Sequence, residues 1–321
     1  MVIWVAARSP RVSVVLPVYN GDEHLYASID SVLSQSMTDL ELVVVDDGST
    51  DNSLKIATSF SDPRITILEL GENIGLAAAL NRGINRARSA IIARHDQDDI
   101  SAPDRLERQL RFLDVQPELV LVGTWATIVR ASPNGDWEVT GHHRHPTTDA
   151  QLRLRLLWNN PFVHSSVTFR RDAFEAAGGY GTDPVNSWPE DYDLWSRMMD
   201  YGRLANIPYE LVTYRETPGG MSHAYTDRIR EGVVRIASRN LGRASGRGPD
   251  DETVTAVARC LNSQPMSRVG AGASLRRLSL FSKAVRRTCP HPSFGDLREQ
   301  TRWSGKLLVR SLMPVRDSLV P

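Results

Sequence analysis

The chain has 321 residues, with 38 Lys and Arg against 38 Asp and Glu, 8 His and 2 Cys. Balanced charge argues against a uniformly basic nucleic-acid surface, and two cysteines are too few for a disulfide framework or a cysteine metal knuckle. With 41% apolar and 24% charged residues the chain reads as a globular protein able to bury a large core, but residues 266–321 carry eleven Lys and Arg against three acids, a surplus of +8 that leaves −8 on the rest.

Residues 12–17 read as a buried strand closed by Pro17. Val18-Tyr19-Asn20-Gly21 then turns into a helix over residues 22–35, with Ile29, Val32 and Leu33 on its inner face. Residues 40–45 form a second apolar run that stops at Asp46-Asp47-Gly48-Ser49-Thr50-Asp51, where Ser49 and Asp51 are also good helix N-caps. Residues 65–70 and 90–94 read as third and fourth strands, separated by a helix over residues 75–88. Strands apolar throughout and joined by helices imply a parallel sheet covered on both faces, an α/β class.

The fourth strand runs into Asp96-Gln97-Asp98-Asp99, and Pro103 reads as the first residue of the next helix. Extended backbone would place Asp96 and Asp98 on one face, with Asp99 beginning the turn, while Asp104 reads as a helix first-turn acid. Mg2+ and Mn2+ take few protein carboxylates and complete their shells with water and phosphate oxygens, which suits such a run. An isolated acid run of this kind reads better as a solvated loop; its place at a strand's carboxyl end, where open α/β sheets bind ligands, favours a metal site.

Residues 12–20, residues 43–52, the pair Asn73-x-Gly75 and Asn81-x-Gly83, and Asp96-x-Asp98-Asp99 followed by Pro103 and Arg105-Leu106 resemble the inverting glycosyltransferases of family 2, over about the first 215 residues. The family's usual glycine before the fourth strand is Ser89 here. The resemblance implies a GT-A fold, Rossmann-like and mostly parallel, and transfer of a sugar from a nucleotide diphosphate, UDP favoured, to a saccharide or lipid-linked acceptor. It implies donor contacts from Pro17, Val18, Tyr19, Asp47, Asn73, Arg94, Asp96 and Asp98. Mn2+ or Mg2+ is expected at Asp98 and Asp99, with Asp99 as the direct ligand.

Further strands are expected at residues 119–125 and 167–170, with residues 134–149 as a surface excursion in which His142, His143 and His145 are solvated. In Trp188-Pro189-Glu190-Asp191-Tyr192-Asp193-Leu194-Trp195 the acids fall in the first turn of a helix, a favourable place for structural reasons alone. The resemblance makes Asp191 the base that deprotonates the acceptor hydroxyl. Glu190, Trp188 and His164 are expected on the acceptor side, and Arg215 and His223 near the diphosphate. A domain of residues 1–225, in halves of 10–115 and 116–225, is expected to precede a helical basic extension over 226–321.

In that extension Leu275, Leu278, Phe281 and Val285 share one helix face, opposite Arg276, Lys283 and Arg287. Such a helix can lie on an anionic bilayer or pack on its own domain, and Leu280 on the basic face favours packing. Residues 1–7 are too short for a signal-peptide core and no apolar run reaches a membrane span, so a cytoplasmic location is expected, with peripheral contact at the inner membrane face. Two rivals remain: a sugar-phosphate nucleotidyltransferase, which would want a glycine-rich basic loop where Pro17-Val18-Tyr19-Asn20 stands, and a non-catalytic scaffold at the membrane, which would be expected to lose acids.

Overall fold

The computed structural model describes residues 9–183, 185, 187–217, 226–264, 271–289 and 294–312. In chain order the elements are β1 (Val12–Val18), α1 (Asp22–Leu33), β2 (Leu40–Asp46), α2 (Ser53–Ser59), β3 (Ile65–Glu69), α3 (Leu76–Arg86) and β4 (Ile91–Arg94). They continue with β5 (Ile100–Ser101), α4 (Arg105–Val115), β6 (Leu119–Ala131), β7 (Trp137–His143), α5 (Asp149–Leu156), β8 (Thr168–Arg170) and α6 (Arg171–Ala176). The last are α7 (Glu190–Met198), β9 (Arg203–Glu216), α8 (Thr226–Ser245), α9 (Glu252–Leu261), α10 (Ala271–Thr288) and α11 (Phe294–Leu312). The described residues fall into two compact units, one within Met1–Thr147, Phe162–Thr182 and Asp200–Gly220, the other within Thr148–Pro161, Asp183–Met199 and Met221–Pro321. This division differs from a single border at residue 225, because α5 and α7 pack with the C-terminal helices.

The first unit holds one sheet in the order β3-β2-β1-β4-β8-β6-β9-β5, with β7 paired to β6. Strands β3, β2, β1 and β4 are mutually parallel. From β1 the sheet grows toward β2 on one side and β4 on the other, so a crevice opens at their carboxyl ends. Beyond β4 the sheet is mixed rather than mostly parallel: β8 runs antiparallel to both β4 and β6, and β5 to β9.

Every residue of β1 and β2 is buried, as strands covered on both faces should be. On one face Val12, Val14 and Leu16 meet Leu25, Ile29 and Val32 of α1 with Leu106 and Leu110 of α4. On the other, α3 lies so close that a Cβ on Gly83 would stand 2.6 Å from Val15 Cγ1 and 2.7 Å from Val45 Cγ2. That contact explains a glycine inside a helix, where it otherwise costs about 1 kcal/mol relative to alanine. Where β1 and β2 begin, buried Glu41 accepts hydrogen bonds from Ser13 Oγ at 2.5 Å, Arg88 N at 2.5 Å and Arg88 Nε at 2.6 Å.

Two sequence expectations need correction here. Helix α4 begins at Arg105, not Pro103, since Arg105 N still closes a turn onto Ala102 O at 3.1 Å; Asp104 precedes the helix and its carboxylate pairs with Arg108 at 2.5 Å. The expected excursion over residues 134–149 contains a strand: Ser132 N donates to Asp136 O at 2.7 Å, Gly135 takes φ 87°, and β7 pairs antiparallel with β6. His142 thereby reaches Glu210 at 3.0 Å, and the rings of His143 and His145 stack with centroids 5.7 Å apart.

The second unit is a helical assembly around Leu154, Leu157 and Trp158, joined by Val234, Ala237 and Leu241 of α8, Val254 and Val257 of α9, and Leu280, Phe281, Ala284 and Val285 of α10. Trp158 packs against Phe281 and against Trp303 of α11, with ring centroids 5.8 and 5.1 Å away. The apolar face of α10 is therefore spent in a core and is not offered to a bilayer. Leu280, expected among the cations, is 4% exposed, while Leu275, expected on the apolar face, is 64% exposed. Among the described residues no helix is long and apolar enough to cross a membrane.

Candidate active site

Strand β4 delivers its last residue, Arg94, to the crevice between β1 and the 3-10 turn at His164–Ser166: Arg94 N donates to Val167 O at 2.9 Å and His95 N to Val15 O at 3.1 Å. The chain then turns at Gln97-Asp98, so Asp96 and Asp98 do not share the face of an extended strand. Arg94 is 3% exposed and ion-pairs with Asp96, whose carboxylate is 25% exposed. Arg94, expected as a donor contact, is thus buried beside Asp96. Its pKa is raised, burial opposing and the charge of Asp96 favouring the cation.

Asp99 is fully buried, and its Oδ1 accepts from Arg215 N at 3.0 Å. Arg215 Nη1 also donates to Asp98 O at 2.9 Å, and its guanidinium lies 5.0 Å from the Trp137 ring centroid. A second fully buried cation, Arg105, donates from Nη1 to Arg94 O at 3.1 Å and Ser165 O at 2.6 Å; burial pulls its pKa down to about 9. Burial, reinforced by Asp96, pushes Asp98 up to about 6 and Asp99 well above the usual carboxylate range. Asp98 keeps some exposure where Asp99 has none. Among the described residues no three His, Cys, Asp or Glu side chains converge on one metal position.

The loops after β1 and β2 are tied to this turn. Gln97 grips Tyr19 from both sides, Oε1 accepting from Tyr19 N at 2.8 Å and Nε2 donating to Tyr19 O at 3.2 Å. Pro17 and Val18 are buried and Tyr19 is 46% exposed. Asp47, expected to contact the nucleotide, is 3% exposed, with Oδ1 accepting from Ile74 N at 2.8 Å and Oδ2 from Gly75 N at 3.0 Å. Burial pushes its pKa up. Asp47 thus holds the loop that carries exposed Asn73 and the 39% exposed Ile74.

His164 Nε2 stands 2.8 Å from Tyr180 Oη. Burial and then the nearby Arg94 charge hold this imidazole well below its ordinary 6.5, so it is neutral. Its neighbour Ser165 faces Asp99. Sequence reasoning had no signal for Gln97 as a clamp or Arg105 as a buried cation, because both roles depend on long-range packing.

Asp191 belongs to the helical unit. It sits in the first turn of α7, with Oδ2 accepting from Asn160 Nδ2 at 2.6 Å and Oδ1 from Tyr192 N at 2.6 Å. Its neighbours are less accessible: Glu190 is 6% exposed, and Asp193, 3% exposed, is bound by Arg197 Nη2 at 2.7 Å and Arg239 Nη1 at 2.6 Å. Asp191 alone of the three acids in this turn is partly exposed. Trp188 has the Arg228 guanidinium 5.2 Å from its ring centroid. Its carbonyl is approached so closely by α8 that a Cβ on Gly232 would lie 2.1 Å away. His223 lies outside the described residues.

The sequence matches the profile described as Glycosyl transferase family 2 over residues 13–178, more than half the chain. It is 34% identical over 208 residues to the amylovoran biosynthesis glycosyltransferase AmsE of Erwinia amylovora, covering 63% of this chain and 75% of that protein. Among solved structures it resembles the mannosyltransferase PcManGT of Pyrobaculum calidifontis in complex with GDP-Man and Mn2+, with a TM-score of 0.56, 21% identity and coverage of 95% of this chain and 86% of that one. It also resembles S. aureus TarS 1-349 in complex with UDP-GlcNAc, with a TM-score of 0.60, 18% identity and coverage of 94% and 89%. The structural likeness carries the GT-A fold, and with the profile match and the AmsE identity the chain belongs to glycosyltransferase family 2.

Proposed function

We propose that the protein transfers a sugar from a nucleotide diphosphate, UDP favoured, to an acceptor hydroxyl with inversion, in the synthesis of a cell-surface polysaccharide or glycolipid. The observation that carries this reading is the acid turn at Asp96–Asp99, placed at the carboxyl end of β4 where the sheet order reverses. PcManGT with GDP-Man and Mn2+ and TarS with UDP-GlcNAc support a nucleotide-sugar donor, and the role of AmsE in amylovoran biosynthesis supports a polysaccharide product.

The donor set suits a hard divalent ion: Asp98 offers accessible oxygen and Asp99 lies buried beside it. Mn2+ or Mg2+ held there would offset the charge of the departing diphosphate; Asp99, expected as the direct ligand, is fully buried, which leaves Asp98 to face the ion with Asp99 in support. Exposed Tyr19, Asn73 and Ile74 flank the base, positioned by Gln97 and Asp47. Asp191 takes the acceptor proton, Asn160 orients its carboxylate, and Glu190, Trp188 and His164 shape the acceptor side. A thermal-shift series with UDP- and GDP-sugars, with and without Mn2+, tests the donor reading: stabilisation by a nucleotide sugar that EDTA abolishes is expected. A chain that no nucleotide sugar stabilises would overturn it.

Peripheral contact with an anionic membrane, if made through α10, runs through exposed Arg276, Lys283, Arg286 and Arg287, since its apolar face is buried. Co-sedimentation with phosphatidylglycerol vesicles that is lost in high salt is expected. Salt-insensitive binding, or none, would refute this electrostatic mode.

A further inference from the structure

Three guanidinium groups surround the three carboxylates of the acid turn. Arg94 pairs with Asp96, Arg105 is buried close enough for Asp99 to act on its charge, and Arg215 binds Asp99 Oδ1 through its amide and Asp98 O through its side chain. With every acid ionised the formal charges cancel, three against three. Glu23, which also acts on Arg215, is 84% exposed and screened by water. Acids that would repel one another are therefore assembled before any metal arrives.

A divalent ion entering this turn meets no net negative charge. Asp96, which would otherwise supply it, is already paired with a cation that cannot move away, because Arg94 is 3% exposed at the end of a central strand. The missing negative charge has to come with the donor's diphosphate. We propose that Arg94 is a positioning residue, the resident counter-cation of Asp96, and that it makes metal binding conditional on the nucleotide diphosphate. The inference rests on the donor reading above but concerns the order and coupling of binding rather than the reaction.

The test uses the full chain, with Mn2+ alone and with UDP or GDP, read by calorimetry or by the paramagnetic signal of free Mn2+. The wild type should bind Mn2+ weakly, and a nucleoside diphosphate should tighten that binding about tenfold or more, with Mn2+ tightening the nucleotide by the same factor. Arg94→Met leaves Asp96 unpaired and should strengthen Mn2+ binding to the free chain about tenfold while shrinking the coupling. Asp96→Asn should act in the opposite direction, and the double variant R94M/D96N, neutral again, should return toward the wild type. This cycle stays informative if Arg94→Met alone folds poorly. Tight Mn2+ binding to the free wild type with no coupling would overturn the proposal, as would R94M and D96N shifting Mn2+ affinity in the same direction. Failure of both UDP and GDP to bind would instead remove the donor reading, while the Mn2+ series on the free chain still judges Arg94.

Discussion

The acids at the end of β4 and the acid at the start of α7 are built on different plans. Asp98 and Asp99 are drawn into the protein among Arg94, Arg105 and Arg215, and their proton affinity rises because burial outweighs those charges. Asp191 stays partly exposed, and its contacts include the Asn160 amide and the Tyr192 peptide N–H. Dense buried charge suits a site that receives a cation and a diphosphate. An accessible carboxylate held by hydrogen bonds at a helix start suits one that takes a proton from an arriving hydroxyl.

The sharpest way to break this comparison is Asp191→Asn. If Asp191 is the base, transfer should fall by about 10²- to 10⁴-fold, the range for general base catalysis, while nucleotide and Mn2+ binding by calorimetry stay as in the wild type. Wild-type-like turnover would remove Asp191 from the mechanism, and lost nucleotide binding would mean that the variant disturbs more than acceptor chemistry.

A smaller effect is expected at Glu41, a buried acid of the sheet unit paired with Arg88. Burial alone would raise its pKa, but hydrogen bonds from Ser13 and Arg88 and the Arg88 charge bring it below the ordinary 4.5. A carboxylate depressed in the folded state stabilises fully above the unfolded value and loses that contribution as pH falls through the folded one. Stability should therefore decline with acid below about 4.5, and part of that slope should vanish in Glu41→Gln. The variant should also lose about 1.5–3 kcal/mol at neutral pH, the range for a hydrogen bond to a charged group. An unchanged acid slope in urea melts would show that the ion pair with Arg88 contributes no linkage.

The two regions also differ in how far they were legible from sequence. Continuous apolar runs announced β1, β2 and β4, and their polar ends placed Asp47 and Asp96–Asp99 on one sheet edge, because period and turn chemistry are local. The hairpin at Asn134-Gly135 carried its own turn signal, but β7 is largely exposed and its apolar alternation is confined to Trp137 and Val139. The seating of Asp47 on Ile74 and Gly75, the grip of Gln97 on Tyr19, and the bonds from Arg105 to Arg94 O and from Arg215 to Asp98 O join residues 11 to 117 positions apart, which no periodicity records. In the tail, helical projection put Leu275 inside and Leu280 outside. Packing against Trp158 and α8 rotated that face.

The finest test lies at Asn160, the side-chain partner of Asp191. Its Nδ2 is 2.6 Å from Asp191 Oδ2, so Asn160→Ala removes one donor without touching the carboxylate itself. Losing one hydrogen bond of about 1–1.5 kcal/mol should cost roughly tenfold in kcat. The KM for the donor should not move, since Asn160 acts through Asp191. Asn160→Gln, which keeps an amide on a longer stem, should recover part of the rate if orientation is what matters. A donor KM that rises together with the loss in kcat would instead place Asn160 on the side of the nucleotide and erase the division between a cation-held acid turn and an acid held for proton transfer.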